Sequence, residues 1–329
     1  MQAIIFKHVF AFIFSFLMSL YLIPIIIRAT KRLGLLDVPD GNLKVHKSPV
    51  PYFGGLAVFL GFIATLALVY PFENRVLWLL LGTTMLLFVG LIDDLKVLRP
   101  GQKFFGQLLA VLCFLKGGFS LKTNFFSSPL NLGLSAFWML SVINAFNLVD
   151  VMDGLSSTIA IVATTSLFTI ALIFEQYTVS LLLAAFLGPL IAFFWYNKPP
   201  ARIYLGDTGS MFIGGFLAAV PMLFAWSNQS FIAYYAPVII LGIPLLEVFF
   251  LVVIRTYLGI PFYRGSPHHF SIYLQKKGWS KWKVLGFTAI MGVILSSLAF
   301  LFLFQLISWT VLVAGLVLFF ATWCIAVFC

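Results

Sequence analysis

Runs of apolar residues recur along the chain at about 4–27, 53–70, 76–92, 104–119, 130–148, 156–174, 178–196, 210–226, 232–254, 284–306 and 308–328. Each is near the length a helix needs to cross a hydrocarbon layer. The pattern predicts an all-α, polytopic membrane protein with about eleven transmembrane helices. The first run could pass for a secretory leader, but it is too long, contains Pro24, and is followed by Arg28, Lys31 and Arg32 where a small-residue cleavage site would stand. It is expected to remain as a helix. No repeat, low-complexity tract or soluble block interrupts the series, so residues 1–329 are expected to form a single domain.

Composition excludes a soluble globule: 62% of the residues are hydrophobic, 9% are charged, and 38 of 329 are phenylalanine. Cys113, Cys324 and Cys329 show no spacing that suggests a metal site or a disulfide framework. Charge then sets orientation. All of the 20 basic residues except Lys7, Arg75, Lys116 and Lys122 fall in the connections after odd-numbered runs, which the positive-inside rule assigns to the cytoplasm. The amino terminus is therefore expected outside and the carboxyl terminus in the cytoplasm of a plasma (inner) membrane. The polar clusters sit on the cytoplasmic face.

Those clusters carry the chemistry. Asn144, Asn147, Asp150 and Asp153 recur every third residue at the end of an apolar run. If the helix continues, they share one slowly drifting face. Ionisable groups at membrane depth point to a functional site, with a structural hydrogen-bond network as the alternative. Asp93 and Asp94 emerge together from another apolar run, and adjacent carboxylates call for a proton or a divalent cation between them. As the end of their own helix they oppose its dipole, so capping explains the pair poorly.

Between Gly206 and Ser210, Asp207 is flanked by glycines just before a helix, where backbone N–H groups can meet phosphate oxygens and the carboxylate can take a metal; a plain capping turn is the alternative. The Pro- and Gly-rich stretch 37–55 carries Lys44 and His46, suited to a phosphate or to anionic headgroups. His268 and His269 lie in the most basic connection without cysteine or acidic neighbours at zinc-ligand spacing, which favours donation to phosphate oxygens. Glu247, three residues after Pro244, is either a structural hydrogen-bonding group or a wall of the same cleft.

Taken in order and on one face, Asp93-Asp94 with Arg99 and Lys103, Asn144-x-x-Asn147-x-x-Asp150-x-x-Asp153-Gly154, Gly206-Asp207-x-Gly209-Ser210 and the late histidine loop resemble the polyprenyl-phosphate N-acetylhexosamine-1-phosphate transferases (glycosyltransferase family 4). The likeness covers roughly residues 20–285. Pro51-x-x-Gly54-Gly55 and the short chain look more like the N-acetylglucosamine-1-phosphate branch than the muramoyl-pentapeptide branch. The chain departs from the family pattern at Val151, where Gly is usual, and at Phe270-Ser271, where a third histidine is common.

The resemblance implies transfer of a sugar 1-phosphate from a UDP-N-acetylhexosamine to undecaprenyl phosphate, with release of UMP. Its implied cofactor is Mg²⁺, with Mn²⁺ as a substitute. Asp207 and Asn147 would hold the metal, Asp93 would prepare the lipid phosphate, and Asp94 would lie near the metal. Lys44, His46, Lys103, Asn144, Asp150, Asp153, Tyr204, His268 and His269 would bind substrate. Tyr204 would stack on uracil, with an interfacial anchor as the alternative, and Asp153 would accept from the uracil imide. The expected partners are the lipid bilayer and these substrates, not nucleic acid, and a homodimer is compatible. A transporter would instead gather its polar groups at mid-membrane and interrupt corresponding helices in two halves; a membrane phosphatase would need the same metal site.

Overall fold

The computed structural model describes residues 2–37, 49–70, 73–123, 126–224, 234–261 and 263–328. Lipid offers the backbone no hydrogen-bond partners, so the apolar runs satisfy their own amides as helices. In chain order these are α1 (Gln2–Arg32), α2 (Gly54–Val69), α3 (Asn74–Leu95), α4 (Pro100–Lys116), α5 (Ser128–Val149), α6 (Leu155–Ile173) and α7 (Tyr177–Asn197). They continue with α8 (Gly206–Ala219), α9 (Ala236–Ile240), α10 (Gly242–Tyr257), α11 (Phe270–Lys276), α12 (Lys281–Leu303) and α13 (Trp309–Phe328). A two-residue antiparallel pair, β1 (Leu36–Asp37) and β2 (Val50–Pro51), joins Leu36 to Pro51 and Asp37 to Val50.

Seven described helices, α1, α3, α5, α6, α7, α12 and α13, are long and apolar enough to cross a membrane. The remaining expected runs are occupied by the shorter α2, α4, α8 and α10. Three boundaries differ from expectation. The run 232–254 is broken at Leu241, between α9 and α10. The run 210–226 starts earlier, at Gly206, and tightens into a 3₁₀ turn at Val220–Leu223, where Pro221 cannot continue the ladder. Most consequentially, α5 stops at Val149: Asp150 has left helical geometry, and Gly154 adopts a φ of 75° before α6 begins. Asn147 and Asp150 therefore do not belong to one continuous helical face with Asp153.

Short α8 is the hub. From Thr208 to Ala219 every residue is buried, and the helix packs against α2, α3, α5 and α6. Aromatic packing closes its lower half, with Phe216 stacked on Phe186 at 3.9 Å and Phe62 edge-on to Phe216 at 5.1 Å. At its amino end the backbones nearly touch: a Cβ at Gly90 of α3 would collide with the carbonyl of Asp207. Gly206, at a φ of 73°, faces the Asp94 carboxylate with equally little room. These glycines let α3 deliver its terminal carboxylates to the start of α8.

Candidate active site

The ends of α3, α5 and α7 and the starts of α4, α6, α8 and α12 meet at one end of the bundle, around a cavity of about 430 Å³. Asp94, Asp150, Asp153, Tyr204, Asp207 and His269 all line it. Four separate connections thus converge, which the sequence could propose only by adding motifs together.

Asp94 is the keystone. Its Oδ1 accepts from the Asp207 amide at 2.9 Å, and its Oδ2 accepts from the Thr208 amide at 3.0 Å and the Thr208 hydroxyl at 2.7 Å. It caps α8 from another helix. The expectation that capping explains this pair poorly considered only α3; at the positive end of α8 the carboxylate is favourably placed. Asp93 instead closes its own helix end by accepting from the Leu98 amide at 2.7 Å.

Beside this cap, the Lys103 ammonium sits among oxygens. It bonds Asp93 at 2.8 Å, Asn147 Oδ1 at 3.0 Å and the Asp207 carboxylate. Asn147 Nδ2 donates to the other Asp207 oxygen at 2.7 Å and to Ser210 at 3.1 Å. Asp153, buried, accepts from Lys281 at 2.8 Å and from the Ala201 amide at 3.3 Å, both at Oδ2. Burial, then the carboxylates of Asp207, Asp94 and Asp153, raise Asp150 well above the ordinary carboxylate range. The phenols feel the same negative field. Burial and then Asp153, Asp37 and Asp150 hold Tyr204 far above its usual range, while burial and the bond to Asp37 do so for Tyr52.

His269 enters the cavity from the far side. Its Nδ1 bonds Glu247 Oε1 at 2.8 Å, and Glu247 Oε2 accepts weakly from the Phe270 amide at 3.4 Å. Of the two readings, the structural one describes Glu247: it does not line the cavity, but orients a cavity histidine and caps α11. His268 does not line the cavity. Its Nδ1 is buried without a hydrogen bond among the described residues, and burial followed by the charges of Lys276, Arg255 and His269 lowers its pKa. Asn144 also points elsewhere, clamping α5 to α4 through a reciprocal amide pair with Gln107 at 3.0 and 3.2 Å. Lys44 and His46 lie outside the described residues.

Several cavity groups had no strong sequence signal. Asp37 is brought in by the β1–β2 pair and bonds the Tyr52 hydroxyl at 2.9 Å. Asn197 ties three connections together, accepting from the Gly154 amide and donating to the Ile203 carbonyl, both at 2.9 Å. Lys281 counted in the sequence only as a positive-inside charge. A polar residue closing an apolar run just before Lys198-Pro199-Pro200 was the only hint of Asn197.

The donor set is hard oxygen throughout, which suits Mg²⁺ or Ca²⁺ rather than a softer metal. Among the described residues no three carboxylate, histidine or cysteine groups close into a metal cage. An Mg²⁺ site of one or two carboxylates completed by substrate phosphates would not need one.

A multi-pass helical membrane protein with an acidic, lysine-bridged cavity at one end of its bundle is the class that fold and site define. A profile of glycosyl transferase family 4 matches residues 76–225, a span that contains Asp93, Asp94, Asn147, Asp150, Asp153 and Asp207. A Bacillus subtilis probable undecaprenyl-phosphate N-acetylglucosaminyl 1-phosphate transferase is 32% identical over 260 residues, covering 76% of this chain and 72% of that protein. A Listeria innocua phospho-N-acetylmuramoyl-pentapeptide-transferase is 31% identical over 304 residues, covering 83% and 91%. Its Clostridium perfringens counterpart is 29% identical over 320 residues, covering 89% and 96%. The chain belongs to glycosyl transferase family 4.

Proposed function

We propose that this protein transfers N-acetylglucosamine 1-phosphate from its UDP-sugar to undecaprenyl phosphate at the cytoplasmic face of the plasma membrane, starting a cell-envelope glycan. The observation that carries the reading is a cavity where Asp94, Asp150 and Asp207 meet, with Lys103 bonded to Asp207 and Lys281 to Asp153. A diphosphate entering so negative a site requires added positive charge, and the Lys103 ammonium already occupies an oxygen nest of cation size.

Asp207 and the Asn147 carbonyl would hold Mg²⁺. When bound, the metal supplies charge neutralisation on the transferring phosphoryl group. In the reaction, an oxygen of the lipid phosphate bonds to the phosphorus that carries the sugar. The bridge to the uridine-bearing phosphorus breaks, and its electron pair leaves with UMP. Little covalent work falls to the protein, so positioning dominates. Lys103, released from Asp207, donates to phosphate oxygens, and Asp93, freed in the same exchange, aligns the attacking phosphate. His269, fixed at Nδ1 by Glu247, presents Nε2 to the donor, and Tyr204 stacks on uracil.

The test is incubation of purified protein with undecaprenyl phosphate, Mg²⁺ and either radiolabelled UDP-N-acetylglucosamine or labelled UDP-N-acetylmuramoyl-pentapeptide. Label entering the lipid phase from the first donor alone is expected. Label from the second alone would assign the muramoyl branch, a reading favoured by the greater coverage of the Listeria relative. Free sugar phosphate without lipid product would indicate a phosphatase.

A further inference from the structure

A second polar cavity, of about 420 Å³, lies outside the acidic site, between the last turns of α1, the β2 strand and the segment after α7. Arg28, Lys31 and Arg202 share it, and no carboxylate lines it among the described residues. Among the described residues none of the three forms a salt bridge; Arg28 Nε donates to the Pro24 carbonyl at 3.2 Å. Below the charges the walls are apolar, from Pro24, Ile27 and Val50. Three cations with no carboxylate partner among the described residues, over an apolar floor, make an amphipathic receptor for one anion.

The surroundings fix its depth in the membrane. Trp195, 59% exposed, carries the Lys198 ammonium 3.5 Å above its ring, where an apolar helix gives way to polar chain. Exposed aromatic residues at such an end belong to the headgroup level. On α1, Tyr21, Ile25 and Arg28 recur at i, i+4 and i+7, so one face carries exposed apolar side chains up to the cavity.

We propose that this cavity seats the phosphate of an anionic membrane phospholipid, with an acyl chain lying along Tyr21 and Ile25. Guanidinium forks suit phosphate oxygens, and a basic pocket between helix ends at the cytoplasmic surface is the geometry that captures such headgroups. A soluble phosphate would gain nothing from the apolar floor. The site also touches the first cavity through its backbone: the Tyr204 amide bonds the Pro51 carbonyl at 2.9 Å, and the Arg202 amide bonds the Tyr196 carbonyl at 2.8 Å. A headgroup held by Arg202 therefore braces the segment that carries Tyr204.

The test needs no transferase activity, so it stands or falls apart from the proposed reaction. Full-length protein in mixed micelles is incubated with fluorescent phosphatidylglycerol or phosphatidylcholine, and retained lipid is read after gel filtration. Phosphatidylglycerol should be preferred. The triple variant Arg28→Gln, Lys31→Gln, Arg202→Gln should lose on the order of ten- to hundred-fold in its retention. A charge-matched variant, Lys96→Gln, Lys276→Gln, Lys283→Gln, should keep it. Should the triple variant fail to fold, Lys31→Gln and Arg202→Gln should each show a partial loss, with Lys31→Arg like the wild type. Equal retention of both lipids, or equal loss in both triple variants, overturns the site. Displacement by millimolar inorganic phosphate would make it a soluble-anion site, and stoichiometric displacement by undecaprenyl phosphate would hand it to the acceptor; either defeats the proposal.

Discussion

Asp94, at the end of α3, holds two first-turn amides of α8, those of Asp207 and Thr208, on its two carboxylate oxygens at 2.9 and 3.0 Å. One carboxylate thus fixes both the position of the central helix and the attitude of the Asp207 side chain that leaves its first turn.

Asp94→Ala should therefore destabilise the protein in detergent without any substrate present, by about 1–3 kcal/mol for the orphaned buried amides. Thermal unfolding of the metal-free protein reads it directly. A variant as stable as the wild type, or more so, would mean that carboxylate repulsion outweighs the cap.

Asp207→Asn should abolish Mg²⁺-dependent turnover while leaving the fold intact, since its one oxygen keeps a bond to Lys103 or to Asn147 and the Asp94 cap on the α8 backbone is untouched. Initial rates against Mg²⁺ concentration decide it. Near-normal turnover at ordinary Mg²⁺ would remove Asp207 from the metal.

The raised Asp150 carboxyl makes a prediction about pH. Unfolded, Asp150 ionises near pH 3.9; folded, it keeps its proton to a much higher pH. Between those values the native state binds more protons than the unfolded state, so stability falls as pH rises through the window and the loss is complete above the folded pKa. Tm measured from about pH 4 to pH 9 should fall less steeply in Asp150→Asn than in the wild type. Parallel curves would show that Asp150 ionises normally.

Tyr204→Ala should raise the KM for the UDP-sugar about ten-fold or more, from a stacking contact worth about 1–3 kcal/mol, with the KM for undecaprenyl phosphate nearly unchanged. Tyr204 is half-buried and lines the acidic cavity. An equal rise for both substrates would return it to a structural role.

His269→Ala leaves the Glu247 carboxylate, 1% exposed, without its ring partner. Leaving a buried hydrogen-bonding group without its partner costs about 1–3 kcal/mol, whereas replacing both partners by apolar groups of similar size costs far less. The double variant Glu247→Leu, His269→Leu should consequently melt above His269→Ala. If it melts lower, the pair is not the source of the loss.

The apolar runs and their spacing determined the all-α membrane class and the places of eleven principal helices, because a bilayer permits a continuous apolar segment little else. The polar motifs, read as a set, also marked Asp93, Asp94, Asn147, Asp150, Asp153 and Asp207, since carboxylates and amides beside lipid are too costly to be idle. What lay beyond the sequence was which groups face one another. Nothing local says that Asp94 caps a helix begun 112 residues later, counting from Asp94 to Gly206, or that Asn144 turns to Gln107 while Asn147, one turn on, turns to Asp207. Whether α5 ran through Asp153 rested on a break at Asp150 that helical periodicity cannot register. Asp37, Asn197 and Lys281 became cavity residues only through the β1–β2 pair and the close approach of helix ends. Periodicity reports how a segment meets its solvent; the pairing of side chains from distant segments is decided by packing, here by glycines that let α3 and α8 nearly touch.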